Sequence, residues 1–167
     1  MEKILKENIG EKEVHPTVKI FEETMEVIKT GDLNKVFEAN EEEKKSFEIL
    51  ENAIKKIRYR IKEVKEENKT AILNINIKVP NLKGTKQKLF KMIKKFQPEL
   101  IEKSESELEE ISLKWFKQII DEELKSKELV YNMEYITIKY KKVENEWEVE
   151  DDSEFVKIFR FRIEEEN

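Results

Sequence analysis

Ile57-Arg58-Tyr59-Arg60-Ile61 and, after a charged interval, Ala71-Ile72-Leu73-Asn74-Ile75-Asn76-Ile77-Lys78-Val79 share a two-residue hydrophobic period. Ile57, Tyr59 and Ile61 alternate with Arg58, Arg60 and Lys62, and Ala71 to Val79 carry apolar side chains at every odd position. Successive side chains on a strand point to opposite faces, so this period predicts strands with one buried face. Glu66-Glu67-Asn68-Lys69 between them supplies a turn, and the pair reads as an antiparallel hairpin. Pro80 cannot donate to a ladder and ends the second strand.

Upstream of the hairpin the period is helical. His15-Pro16 opens a helix with Pro16 in the first turn, where the missing N–H has no partner anyway. Val18, Phe21, Met25 and Ile28 follow at helical spacing. Gly31 stands where a left-handed cap is usual. Asp32 can cap a short second helix carrying Leu33, Val36 and Phe37, and a third helix runs from about Glu42 to Ile54 with Phe47, Leu50 and Ile54 inward.

Downstream, Asn81 to Gly84 is a turn, and Thr85 caps a basic amphipathic helix to Phe96 with Leu89, Ile93 and Phe96 inward. Pro98 breaks it. Ser104 and Glu107, like Ser106 and Glu109, have capping-box spacing. The long helix that follows, to about Lys125, carries Leu108, Ile111, Trp115 and Ile119 on one side, with Leu113, Phe116, Ile120 and Leu124 widening the stripe. That pattern predicts burial over a broad arc. A second hairpin has its first strand at about Leu129 to Val143, a turn at Asn145, and Trp147 and Val149 on the return strand. The apolar phase shifts from Tyr131, Met133 and Tyr135 to Ile136, Ile138 and Tyr140, which predicts a β-bulge or a strong bend. Asp152 or Ser153 can cap a short last helix bearing Phe155 and Phe159. Phe161 and Ile163 then alternate with Arg160 and Arg162, which reads as a return to extended chain.

The 167 residues favour one domain, with 1–15 as a flexible leading segment and 160–167 as a tail. Charged residues make up 43% of the chain, well above the usual ~25%. Apolar side chains at regular spacing still provide a core that offsets chain entropy. The net charge of −5 is spread over 33 basic and 38 acidic residues without a single-sign field, which disfavours a nucleic-acid partner. With no cysteine, disulfide scaffolds, thiol catalysis and cysteine-based zinc sites are excluded. No apolar run approaches the length of a membrane span. Met1-Glu2-Lys3-Ile4-Leu5-Lys6 lacks the apolar centre of a signal peptide.

Three helices, a hairpin, two helices, a hairpin and a final short helix (ααα-ββ-αα-ββ-α) make an α+β chain. This order resembles the nuclear-transport-factor-two-like superfamily, and within it the small bacterial exported proteins, many of them lipoproteins. The residues that carry the resemblance are Lys29-Thr30-Gly31-Asp32-Leu33, Ile57-Arg58-Tyr59-Arg60-Ile61, the hairpin Lys69 to Val79 and, most characteristically, Asn145-Glu146-Trp147-Glu148-Val149-Glu150-Asp151-Asp152-Ser153-Glu154-Phe155. They cover about Pro16 to Phe159. The resemblance implies a cone-like curved antiparallel sheet of about four strands packed against helices, with a cavity between them. It also implies an extracytoplasmic setting, with an export segment ahead of Met1 and a lipid anchor as the link to a membrane. If Met1 is the native start, the expected location is cytoplasmic. No single activity follows, since such folds host enzymes, binders and assembly modules alike.

His15 is the one histidine. Histidine is the usual general base near neutrality, but its place before a proline is explained by helix-entry geometry. With one histidine and no cysteine, no metal or cofactor site is expected. Glu105, Glu107, Glu109 and Glu110 gather at a helix start, where negative charge complements the dipole. Tyr59, Trp115, Tyr135 and Trp147 are the candidate ligand-binding residues, as the aromatic lining of an apolar pocket; the plainer reading is that they fill the interior. The Lys-rich helix with Lys86, Lys88, Lys91, Lys94 and Lys95 could meet an anionic membrane or a partner, while its apolar face is also needed to cover the sheet. No phosphate loop, nucleophile elbow or metalloprotease motif is present. The expectation is therefore a non-enzymatic module, with no catalytic residues, that holds a small apolar ligand or a protein partner. The alternatives are a cavity enzyme (isomerase, dehydratase or hydrolase) using a pocket carboxylate and Tyr, and a homodimer joined through the sheet face or the Phe155–Ile163 segment.

Overall fold

The computed structural model describes residues 3–5, 14–31 and 40–165. It is an α+β chain built on one antiparallel sheet with strand order β1-β2-β3-β4-β5. The strands are β1 (Lys3–Leu5), β2 (Arg58–Glu67), β3 (Thr70–Pro80), β4 (Tyr131–Val143) and β5 (Glu146–Asp151). β2 to β5 are the strands expected from the period-two segments; β1 adds a short edge beside β2. Each hairpin turn needs left-handed backbone. Asn68 takes φ 55° between β2 and β3, and Glu144 and Asn145 take 51° and 69° between β4 and β5, the signature of a type I′ turn.

The odd-numbered residues of β3 from Ala71 to Val79 are all buried. They pack in one cluster with residues of α1 (Pro16–Lys29), α2 (Glu41–Ile49), α3 (Glu51–Lys55), α6 (Glu105–Lys125) and α7 (Ser153–Lys157), among them Phe21, Met25, Ile49, Ile54, Ile120 and Phe155. The even-numbered residues form an open polar face. There Asn74 donates to Glu63 and accepts from the Thr137 hydroxyl, both at 2.9 Å, tying three strands together.

Several expectations are refined by the tertiary structure. The expected helix at Asp32 to Phe37 lies outside the described residues. The expected third helix is two, α2 and α3, parted at Leu50. Gly31 takes φ 89° after α1, as a left-handed cap requires. Thr85 does not cap α4 (Thr85–Lys95): its hydroxyl donates back to the Leu82 carbonyl, and Gly84 at φ 86° holds the cap position. Pro98 falls in the first turn of a short α5 (Gln97–Leu100). Ser104 and Glu107 form the complete capping box of α6. Only Ile120 and Leu124 of α6 are buried, and α6 packs beside α4, α2 and α3. At the start of α7 it is the Asp151 carboxylate that accepts the Ser153 N–H, while the Asp152 side chain makes no cap.

Two departures concern β4 and the end of the chain. The phase shift in β4 is not a bulge against β3, since that register runs unbroken from Thr70↔Lys141 to Pro80↔Tyr131. Met133 and Tyr135 simply face the open side of the sheet, while Ile136, Ile138 and Tyr140 face the helices. The irregularities lie at Ile61/Glu63 in β2 and at Lys139/Tyr140 against β5. The end of the chain is not extended either. Ile158–Arg160 is a 3₁₀ turn, and Phe161 and Arg162 take φ 49° and 57°. Phe161 and Ile163 are buried, and the Phe161 carbonyl accepts the Leu82 N–H. Phe155, Ile158, Phe159, Phe161 and Ile163 are all part of the chain's own core.

Tyr140 carries a pH consequence. Its phenol is pushed well above the ordinary tyrosine range, first by burial and then by the nearby Asp152 carboxylate. A folded-state value above the unfolded one of about 10 stabilises the fold below that pH and loses the contribution as pH rises past it. Tyr140→Phe removes this slope. Denaturant titrations at pH 9 and 11 should show the variant losing less stability than the wild type over that interval. An equal loss in both would mean that Tyr140 does not carry the effect.

Candidate functional site

The structure does not gather the four candidate aromatic residues. Tyr59 packs edge-on against Phe21 at 5.2 Å, and burial, then Glu22 and Glu26, raise its phenol above the usual value. Trp115 lies against Phe96 at 5.5 Å, within the helix layer. Trp147 sits 5.4 Å from the ring of His15, the N-cap of α1, with Lys142 over its indole. Tyr135 is 74% exposed on the far face of the sheet. Its pairing partner is Asn76, one residue from the inward Ile75 and Ile77, so the pleat turns it away from the helices. These residues therefore share no pocket wall, and the interior between sheet and helices is occupied by the aliphatic cluster around Leu73, Ile75 and Ile77.

His15 is buried at 5% exposure and belongs to a local network. The Thr17 N–H donates to Nδ1 at 3.2 Å, and the Thr17 hydroxyl lies 2.7 Å from the same nitrogen. That leaves Nε2 to carry the proton and donate to Glu66 at 2.6 Å. The order hydroxyl–imidazole–carboxylate has the form of a nucleophilic triad, but Thr17 is 0% exposed and offers its oxygen to no substrate. The network is an N-cap that ties α1 to β2. Its Glu66 link joins residues far apart in sequence, so no local motif could announce it.

No carboxylate among the described residues is buried. Buried polar side chains among the described residues are His15, Thr17 and Thr85. Glu107 and Asp151 are held below the usual carboxylate range by hydrogen bonds from Ser104 and Ser153 at helix starts. Among the described residues no group of three His, Asp or Glu is placed to hold a metal ion. No described helix is long and apolar enough to cross a membrane. The Lys-rich α4 turns Leu89 inward, and Lys86 and Lys88 pair with Glu164 and Glu123 at 2.7 and 2.8 Å, so the helix covers the fold as well as presenting charge.

A groove of about 620 Å³ lies between the N-terminal half of β4 and the segment from α7 to Glu165. Asn132, Glu134 and Ile136 form its floor, and Lys157, Arg160 and Phe161 its opposite wall. It exists because β4 is longer than β5: pairing runs only over Lys139–Val143, after which the chain leaves the sheet at Asp152 to start α7. Phe161 and Arg162 bound it with consecutive left-handed conformations, which a bulky L-residue such as Phe adopts only under tertiary constraint. Of the sequence-predicted residues Tyr135 alone borders this groove. The unequal lengths of the last two strands were the signal for it, while Lys157, Arg160 and Glu154 carried none.

No protein-family model and no curated protein matches the chain. Among solved structures, the chain is similar to one from Bacillus subtilis described as a "putative lipoprotein (ycdA)", at 16% sequence identity and a TM-score of 0.49. The match covers 95% of this chain and 51% of the other, so the chain spans about half the length of that relative.

Proposed function

We propose that this chain is a non-enzymatic binding module of the nuclear-transport-factor-two-like type that holds a segment of a partner protein in the groove between β4 and α7. The groove carries the reading. It is large, open along one side and bounded by a strained turn that the core holds in place. Sites for small ligands enclose most of the ligand surface, whereas an open groove suits a chain segment that continues beyond it at both ends. The element order supports the superfamily reading. The interior packing and the absence of a buried carboxylate among the described residues favour binding over catalysis.

Selection of random displayed peptides on the immobilised protein tests this. Asn132→Trp places an indole on the groove floor, at a half-buried position opposite Val79. Selected peptides should lose affinity for this variant by about tenfold or more, while its thermal midpoint stays near that of the wild type. A library that yields no binder, or binders indifferent to Asn132→Trp, would remove the proposal.

A further inference from the structure

A cleft of about 450 Å³ lies between α1, the paired ends of β4 and β5, and the start of α7. It shares no lining residue with the groove described above. A bulge in β5 opens it. Lys139 pairs with Asp151 and Tyr140 with Val149, which leaves Glu150 without a partner on β4. An extra residue of this kind bends its strand, and the chain then leaves the sheet for α7. The walls are mainly apolar: Ile20, Phe21 and Val27 from α1, Ile138 and Val149 from the sheet, and Phe155 from α7.

One polar atom of this cleft has no use in the fold. Tyr140 is 2% exposed and lines the cleft, yet its hydroxyl makes no hydrogen bond among the described residues. Every fully buried polar side-chain atom among those residues has a partner, so the Tyr140 oxygen meets the cleft and not packed carbon. A hydroxyl withdrawn from bulk water without a partner is costly. Burial, and then Asp152 beside it, keep the phenol protonated.

The other polar groups ask for a donor. The Asp152 carboxylate makes no ion pair or hydrogen bond among the described residues. The Thr24 hydroxyl gives its proton to the Ile20 carbonyl at 2.8 Å and is left to accept. No lysine or arginine lines the cleft. Glu23 stands at a rim shared with the recess that holds Lys19 and Lys142, so the inner charge is that of Asp152. Lys139 and Lys157 act on the neighbouring Asp151. Apolar walls around one carboxylate and a spare hydroxyl complement an ammonium carried on a hydrocarbon body.

Independently of the groove reading, we infer that this cleft binds a small organic amine, its aryl or alkyl body against Phe21, Val27 and Phe155 and its ammonium held by the Asp152 carboxylate and the Tyr140 hydroxyl.

Calorimetric titration of the intact protein tests this with tryptamine, phenethylamine and hexylamine, each beside the alcohol of the same skeleton: tryptophol, 2-phenylethanol and hexan-1-ol. At least one amine should bind below about 1 mM, and about tenfold or more tightly than its alcohol. Its addition should shift the amide resonances of Thr24 and Val149. Asp152→Asn keeps the side-chain size and should erase the preference for amine over alcohol. Tyr140→Phe should weaken the same amine by about threefold or more. The wild-type comparison of amine with alcohol needs neither variant to fold. Three amines that all fail to bind, an alcohol that binds as tightly as its amine, a preference that survives Asp152→Asn, or binding unchanged in Tyr140→Phe would each overturn the inference. Asn132→Trp alters no residue of the cleft, so failure of the groove reading and failure of this one are read separately.

Discussion

Phe21→Ala is expected to destabilise the fold by about 3–5 kcal/mol, the usual range for removing a fully buried ring. Phe21 is 1% exposed and stands where three elements meet. Its ring lies edge-on to Tyr59 on β2 at 5.2 Å and to Phe155 on α7 at 5.4 Å, and Phe155 in turn meets Phe159 at 5.2 Å. Alanine leaves a void lined by rings that cannot close over it without moving α7. Thermal unfolding should show the midpoint falling by about 6–20 °C, given about 2–4 °C per kcal/mol for a chain of this size. Because α7 bears Glu154 and Lys157, the same variant should weaken peptide binding beyond what the unfolded fraction explains. Phe21→Ala/Phe155→Ala should cost less than the sum of the single changes, since both empty one space. Strict additivity, or a loss below about 1 kcal/mol, would mean that the aromatic cluster does not join α1 to α7.

His15→Ala is expected to cost about 2–4 kcal/mol. The loss combines a helix cap, worth about 1 kcal/mol, with the buried Thr17 hydroxyl left without its partner, worth about 1–3 kcal/mol. Glu66 is one-third exposed and can regain water, so its share is small. His15→Asn separates the terms. Its amide oxygen can accept the Thr17 N–H and restore the cap, but its short side chain cannot reach Glu66 or pack on Trp147. Urea titrations should place Asn between wild type and Ala, with unchanged slopes. If Asn and Ala coincide, the cap contributes nothing and the bond to Glu66 carries the effect; if Asn matches wild type, the link from α1 to β2 is dispensable.

The two hairpins, the capped α6 and the Pro16 entry of α1 were legible because each rests on local chemistry: a two-residue period, Ser104 with Glu107, or a proline whose missing N–H needs no partner in a first helical turn. The aromatic pocket was not, because periodicity tells which residues share a face of one element and not which faces meet. Tyr59 and Tyr135 look alike as strand residues, yet the β3–β4 register sets them on opposite sides of the sheet. Likewise Phe161 and Ile163 read as a strand by alternation. The Leu82 N–H and the core instead claim them in a left-handed turn.

Sequence by itself determined the α+β class, the strand pairs and the lack of cysteine chemistry, since these follow from side-chain period, turn residues and composition. Only the tertiary structure decided where the candidate groove lies. The length by which β4 outruns β5 and the meeting of that strand with Lys157 and Arg160 both depend on pairing between residues distant in the chain. Such pairing is set by the summed packing of the core and is written in no single segment.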